Sequence, residues 1–170
     1  EIGLNVGIGT DGPASNNDLD MMEESRLASF LAKVATLNPT ALPARQTLEM
    51  ATIMGARALH IEQITGSLEP GKRADLIGLS MGDVRHIPHF RRDPDSIYSR
   101  ILYASNQEDV REVMVNGQWL MRNRQILTID VAAVSEEAHS LAGRIDAFLI
   151  QREQSVLNKL VAIGGVAQEK

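Results

Sequence analysis

The class of fold is indicated by a stretch at the start of the chain, Ile2-Gly3-Leu4-Asn5-Val6-Gly7-Ile8-Gly9-Thr10-Asp11-Gly12-Pro13. Its first eight residues are mostly glycine and aliphatic, which is typical of a short strand that is buried on both faces. A polar turn that contains glycine and proline follows at once. The stretch therefore predicts a βα unit of a parallel sheet.

Two helices are predicted after this turn. Apolar residues recur every three to five positions over residues 19–37, and Asn17 or Asp18 is available as the N-cap. Pro39 prevents the helix from continuing, because a residue that precedes proline is pushed out of the helical conformation. A second helix is predicted over residues 44–59. Gly55 is a poor helix former within it and indicates close packing against another segment.

The second half of the chain has the pattern of a small β unit followed by a helix. A short helix is predicted near residues 96–104, and Asn116-Gly117 is the dipeptide most typical of a two-residue hairpin turn. Asp130 is a candidate cap for a last helix, which is predicted from residue 131 to about residue 150. The predicted strands are residues 74–79, 110–115 and 118–121.

This order of elements predicts an α/β protein in which the last βα unit of one domain leads into a second, smaller domain. The predicted boundaries are residues 1–64 for the end of the first domain, 65–130 for the β unit, and 131–170 for the final helix and tail. A strand buried on both faces needs neighbours on both edges. We therefore expect the chain to be one part of a longer protein.

Composition restricts the class of protein. Of the 170 residues, 44% are hydrophobic and 23% are charged, which is typical of a globular chain and not of a disordered one. The net charge of −5 and the lack of a basic stretch argue against nucleic acid as a partner. The apolar runs are shorter than the roughly 20 residues of a membrane helix, so no membrane partner is expected. The chain has no cysteine, which excludes thiolate metal sites within it and fits a cytoplasmic location.

Asp11 is the first candidate for a catalytic or metal-binding residue. It follows a predicted parallel strand, at the edge where α/β barrels place their active sites. A carboxylate at that position can hold a divalent metal and accept a proton from water. Ser15, Asn16 and Asn17 are candidates for bracing Asp11 or lining a substrate pocket. Turn formation and helix capping explain Ser15, Asn16 and Asn17 equally well, and the alternative for Asp11 is that it caps a turn or begins a helix. The neighbouring Asp18 and Asp20 are interpreted as helix-start residues.

The four histidines offer no further metal site. His86 and His89 stand three residues apart, but no helix or strand sets their geometry, so we interpret them as residues of a solvated loop rather than as a ligand pair. His60 is placed at a helix end, and His139 on the exposed side of the last helix. The residues alone thus predict part of an enzyme with one candidate metal-binding aspartate.

Five blocks follow one another along the chain: residues 6–12, the polar loop Ser15-Asn16-Asn17-Asp18-Leu19-Asp20-Met21, and residues 51–59, 66–76 and 113–117. In this order the blocks resemble the amidohydrolase superfamily. Within that superfamily, the polar loop is most similar to that of the 5′-methylthioadenosine/S-adenosylhomocysteine deaminases.

The resemblance implies the C-terminal end of a (β/α)8 barrel together with part of a small composite β-sandwich. It implies that Asp11 ligates one zinc, or iron, beside four histidines that lie upstream of this chain. It also implies hydrolytic deamination of a purine nucleoside by a metal-activated water. In that reaction Asp11 transfers the proton and contacts the substrate. Asn16 and Asn17 are expected to contact the substrate as well. The expected partners are the N-terminal part of the same enzyme and a second copy in a homo-oligomer.

Two alternatives stay open at this point. One is a related amidohydrolase that acts on another nitrogen heterocycle, such as a triazine chlorohydrolase or a guanine or cytosine deaminase. The other is a non-catalytic module descended from such an enzyme. Because one carboxylate does not hold a catalytic zinc, we expect the 170 residues alone to be inactive.

Overall fold

The computed structural model describes residues 3–90 and 92–166 of the chain, with side chains up to residue 161. Contacts divide the chain into two compact units, Glu1–Leu127 and Thr128–Lys170. The described residues form both helices and strands, which is consistent with the α/β class. Within the first unit, the irregular stretch before the first helix carries Asp11, the candidate site residue.

The first helix, α1, spans Met21–Thr36 and lies within the predicted range. Asp20 is its N-cap: the Oδ1 atom accepts hydrogen bonds from the Met22 N–H at 2.8 Å and the Glu23 N–H at 3.3 Å. The prediction that Asn17 or Asp18 caps this helix was therefore wrong. Asp20 directly precedes the first helical residue and has an extended backbone, which is the geometry that N-capping requires.

The second predicted helix is divided into α2, Ala44–Met50, and α3, Ile53–Ala58. The break lies at Thr52, whose φ of −131° and ψ of −101° are not helical. The Thr52 hydroxyl donates to the Leu48 carbonyl oxygen at 2.7 Å. Hydroxyl bonds of this kind to the preceding turn compete with the helical backbone and bend helices, which explains why one apolar pattern gives two short helices.

Gly55, in α3, is the point at which the segment before Asp11 approaches most closely. A Cβ atom placed on Gly7 would lie 2.9 Å from the Gly55 Cα, a distance that real Cβ atoms do not reach. The prediction that Gly55 marks close packing is confirmed. The two glycines let the backbones of these segments meet without side chains between them.

The described residues of the predicted first strand, 3–9, do not form a strand, which corrects the expectation from the alternating apolar pattern. A strand exists only through hydrogen bonds to a neighbouring strand. No described segment pairs with these residues. Ile2 lies outside the described residues.

Four strands form one antiparallel sheet in the order β1-β2-β3-β4. Asn116 and Gly117 connect β2 and β3 with φ of 51° and 77°, the left-handed turn conformation that this dipeptide favours. The predicted hairpin is confirmed. The two-residue strand β4 was not predicted because it is too short to show an alternating pattern. The strands are β1 Leu76–Leu79, β2 Val110–Val115, β3 Gln118–Arg122 and β4 Gln125–Ile126.

A helical segment between β1 and β2 packs on α1. Helix α4 spans Ser96–Ala104, as predicted, and is preceded and followed by 3₁₀ turns at Val84–His86 and Gln107–Asp109. Leu102 of α4 is 1% exposed. Arg26 of α1 donates from Nε to the Leu102 carbonyl oxygen at 3.1 Å, so it satisfies a carbonyl at the end of α4 that has no helical partner.

The second unit contains helix α5, Val131–Val166, which is longer than predicted. Asp130 caps it as expected, accepting a hydrogen bond from the Ala133 N–H at 3.1 Å. The helix continues past residue 150 because no glycine or proline lies between residues 144 and 163. None of the helices in the described part of the chain has the length and apolar character needed to cross a membrane.

Candidate active site

Asp11 is held by hydrogen bonds from its own loop. The Gly12 N–H donates to Oδ1 and the Ser15 hydroxyl donates to Oδ2, each at 2.8 Å. The Thr10 hydroxyl donates to the main-chain oxygen of Asp11 at 3.1 Å. Asp11 has a φ of +60°, a conformation that aspartate tolerates better than most residues. The loop thus presents an exposed carboxylate in one orientation.

These bonds also determine the charge on the site. The Ser15 hydroxyl and, to a smaller extent, the Gly12 N–H lower the pKa of Asp11 below its ordinary value of 3.8, because both stabilise the ionised form. Asp11 is therefore a carboxylate at neutral pH. A carboxylate has about four lone-pair sites, and the two hydrogen bonds use one on each oxygen. Each oxygen can still bind a metal or accept a proton.

The three candidate residues that follow Asp11 differ in their side-chain contacts. Ser15 braces Asp11, as one of the sequence alternatives proposed. Asn16 instead donates from Nδ2 to Oε1 of Glu24 in α1 at 2.7 Å, so its side chain joins the loop to that helix. Asn17 is exposed and makes no side-chain hydrogen bond to Asp11 among the described residues. A substrate contact by Asn16 or Asn17 stays a prediction.

The contact of Glu24 with the Asp11 loop was not predicted from the sequence. Glu24 was one of several acidic residues in the first turns of α1, where the helix dipole alone accounts for negative charge. Its contact with Asn16 spans eight positions and leaves no periodic pattern in the sequence. No signal in the sequence could have identified it.

The donor set of the loop fits one ligand of a metal site. Asp11 is ionised and accessible, as a metal ligand must be. Zinc in catalytic sites takes about three protein ligands. No group of three or more histidine, cysteine, aspartate or glutamate residues in the described part of the chain is arranged to hold a metal. Asp11 is thus suited to complete a site whose other ligands lie elsewhere.

His86 corrects the interpretation of the histidine pair. It is 1% exposed and does not lie in a solvated loop, whereas His89 is exposed. The His86 Nε2 atom lies 3.7 Å from Oδ2 of Asp109. Asp109 also accepts a hydrogen bond from Arg85 Nη2 at 2.9 Å, and this contact folds the loop onto the residues before β2. The burial of His86 therefore comes from tertiary contacts.

The other two histidines lie where the sequence predicted. His60 directly follows the C-cap of α3 and is exposed. His139 is exposed on α5, and its Nδ1 atom lies 2.7 Å from the Ser135 carbonyl oxygen.

Comparison with known proteins identifies the protein family to which the chain belongs. The profile of the amidohydrolase family matches residues 1–120. The chain is 48% identical over 142 residues to the 5′-deoxyadenosine deaminase of Methanosarcina acetivorans, which covers 84% of the chain and 31% of that protein. It is 46% identical over 132 residues to the 5-methylthioadenosine/S-adenosylhomocysteine deaminase of Moorella thermoacetica, covering 78% of the chain and 30% of that protein.

A solved structure agrees with these relatives. The adenosine deaminase of Xanthomonas campestris, determined with bound zinc, superposes with a TM-score of 0.76 at 39% identity over 84% of this chain and 31% of its own. The chain belongs to the amidohydrolase family. It spans about a third of the length of the curated relatives it matches.

Proposed function

We propose that the chain is the C-terminal part of a metal-dependent hydrolase that deaminates an adenosine-type nucleoside. The observation that carries the proposal is the exposed Asp11 carboxylate, which two hydrogen bonds from its own loop hold ionised. The substrates we propose are 5′-methylthioadenosine and S-adenosylhomocysteine. The names of the Methanosarcina and Moorella relatives support an adenine nucleoside with a modified 5′ position.

In the proposed architecture, residues 1–64 complete a (β/α)8 barrel and residues 65–130 contribute to a composite β-sandwich. Residues 3–9 then pair with barrel strands from the N-terminal part of the same enzyme. The lack of strand partners for these residues within the described chain supports this arrangement. The last segment, residues 131–170, forms the C-terminal helix and tail.

The proposed reaction replaces the amino group of the adenine ring by oxygen. A C–O bond forms between water and the ring carbon that carries the amine, the C–N bond breaks, and ammonia leaves. Asp11 accepts a proton from the water on its carboxylate and returns it to the departing nitrogen. Asp11 would be one ligand of a zinc ion, which supplies a lowered pKa for water, and the remaining ligands would be upstream histidines.

The first test uses the parent protein, by which we mean the full-length protein that contains these residues, loaded with zinc. It is mixed with S-adenosylhomocysteine, 5′-methylthioadenosine or 5′-deoxyadenosine, and ammonia release is followed with the absorbance of the adenine ring. We expect turnover, and we expect the substitution Asp11→Asn to reduce kcat by on the order of 10² to 10⁴, because it removes the proton acceptor. Asp18→Asn, an exposed change in the same loop, is the matched control and should retain activity.

Two outcomes would contradict the proposal. Equal turnover by the Asp11→Asn variant would exclude Asp11 as the proton acceptor. A zinc-loaded parent protein that deaminates no adenosine analogue but acts on guanine, cytosine or a chlorotriazine would replace the proposed substrate class.

A further inference from the structure

The Ser15 hydroxyl lies between two acceptors in the Asp11 loop. Its Oγ atom is 2.8 Å from Asp11 Oδ2 and 3.2 Å from the Gly12 carbonyl oxygen. A hydroxyl carries one hydrogen and can also accept. Because Oδ2 of the ionised carboxylate can only accept, Ser15 donates to it, and the more distant Gly12 carbonyl oxygen is the second acceptor within reach of the same hydroxyl.

The two oxygens of Asp11 differ in how they are held. Oδ1 accepts from the Gly12 main-chain N–H, which a side-chain substitution would not remove. Among the described residues, Ser15 provides the only side-chain hydrogen bond to the carboxylate. Ser15 is therefore the side chain among the described residues that, together with the Gly12 N–H, fixes the rotation of the carboxylate about its Cβ–Cγ bond.

The loop does not need this hydroxyl to form its turn. The N–H groups of Ser15 and Asn16 both donate to the Gly12 carbonyl oxygen at 3.0 Å, and these main-chain bonds close the turn. Alanine at position 15 would keep them. The side-chain hydrogen bond to Asp11 is therefore not needed to close the turn, and it acts on the orientation of the carboxylate.

We propose that Ser15 is a positioning residue for Asp11: its hydroxyl, and not the turn that contains it, sets the rotation of the carboxylate that would ligate the metal. The 2.8 Å bond from Ser15 Oγ to Oδ2 holds the carboxylate in the orientation that Asp11 needs as a metal ligand and as the proton acceptor proposed above. This inference rests on the function proposed above for Asp11.

The test compares Ser15→Ala and Ser15→Thr in the zinc-loaded parent protein. Zinc affinity is measured by competition with a chelator, and kcat and KM are measured at saturating zinc. Removing a hydrogen-bond partner of a metal ligand reduces metal affinity or activity by about 10–100-fold. We expect a loss of that size in zinc affinity for Ser15→Ala, together with a fall in kcat at an unchanged KM.

The conservative variant and a control separate positioning from general loss of structure. Ser15→Thr retains the hydroxyl and should keep zinc affinity and kcat within about threefold of the parent protein, as the exposed position has room for a methyl group. Thr36→Ala removes a hydroxyl that bonds to the Ala32 oxygen of α1, away from Asp11, and should change neither quantity.

The proposal is overturned if Ser15→Ala lowers only the melting temperature and leaves zinc affinity and kcat unchanged, or if Ser15→Thr fails to restore them. Failure of the proposed function gives a different result. A parent protein that binds zinc but does not deaminate any nucleoside would contradict the reaction, while the zinc affinities of the two variants would still decide the role of Ser15.

Discussion

At the scale of single residues, local hydrogen bonds determine the state of the carboxylates in this chain. Asp11 is held by its own loop, and Asp75 is held by residues from two different segments. The Asn116 N–H donates to Asp75 Oδ1 at 2.6 Å, and the Thr65 hydroxyl donates to Oδ2 at 2.7 Å. Asp75 thereby joins the turn before β1 to the β2–β3 hairpin. The Asn116 bond and then the Thr65 bond lower the pKa of Asp75 below its ordinary value of 3.8.

This contact predicts a pH-dependent attachment of the hairpin. Because the pKa of Asp75 is lower in the folded protein, its contribution to stability is fully present well above pH 3.8 and is lost as the pH falls through the folded value. We expect Asp75→Asn to speed hydrogen exchange of the Asn116 amide at neutral pH, with a difference from the parent protein that shrinks below pH 3.8.

The measurement is hydrogen exchange with mass spectrometry on the parent protein, expressed as the protection factor of the peptide that contains Asn116. Thr65→Val removes only the second hydrogen bond and should give an intermediate effect. A difference between the Asp75→Asn variant and the parent protein that stays constant from neutral to acidic pH would show that the charge of Asp75 is not the cause.

At the scale of elements, the packing of α3 depends on two glycines. Gly7 and Gly55 approach so closely that a Cβ atom on Gly7 would lie 2.9 Å from the Gly55 Cα and 3.7 Å from the Met50 carbonyl oxygen. Both neighbours are main-chain atoms, which cannot rotate away as a side chain can. Relief of the clash would require one segment to move. One of the two segments, residues 3–10, leads directly to Asp11.

We therefore expect Gly7→Ala to destabilise the parent protein by about 1–3 kcal/mol, the usual cost of inserting a methyl group into a packed region. Gly82→Ala is the control, because a Cβ atom there would have no neighbour within 4 Å. Thermal unfolding of the zinc-loaded protein checks both variants. Equal melting temperatures for the two would show that the Gly7–Gly55 approach does not stabilise the fold.

At the scale of the whole molecule, the first unit leaves much apolar surface uncovered. Among the described residues, the only buried hydrophobic side chains are Ala56 and Leu102. A cavity of about 660 Å³ beside α3 and the sheet is lined mainly by apolar residues, including Ile8 and Val113. Exposed apolar surface of this extent is typical of a protein interface. In the proposed enzyme, the N-terminal part would cover it.

The isolated chain should consequently show the properties of an incompletely covered core. We expect it to bind a hydrophobic dye, to self-associate, and to unfold over a broad temperature range without a cooperative transition. Addition of the histidine-bearing N-terminal part should suppress dye binding. Size-exclusion chromatography and calorimetry of the 170-residue chain check the expectation, and a monomer with a sharp calorimetric transition would contradict it.

Structural features that depend only on nearby residues could be predicted from the amino-acid sequence. The helix at residues 21–36, the helix at 96–104, the Asn116-Gly117 hairpin and the cap at Asp130 follow from periodicity, turn chemistry and capping, and all were predicted. The resemblance carried by the loop after Asp11 identified the family, and the bond from Ser15 to Asp11 was one of the alternatives stated, because only four positions separate the two residues.

Contacts between residues far apart in the sequence could be identified only from the tertiary structure. Tertiary contacts place Asn16 against Glu24 and bury His86 beside Asp109, and no other described segment pairs with residues 3–9. Gly7 also packs against Gly55. A sequence pattern records the local preference of a segment, whereas burial and strand pairing depend on the free energy of contacts between segments far apart in the chain. For that reason Asp11 could be recognised as a candidate site residue from the sequence. Whether other residues of the chain come close enough to Asp11 to complete a metal site could not be predicted.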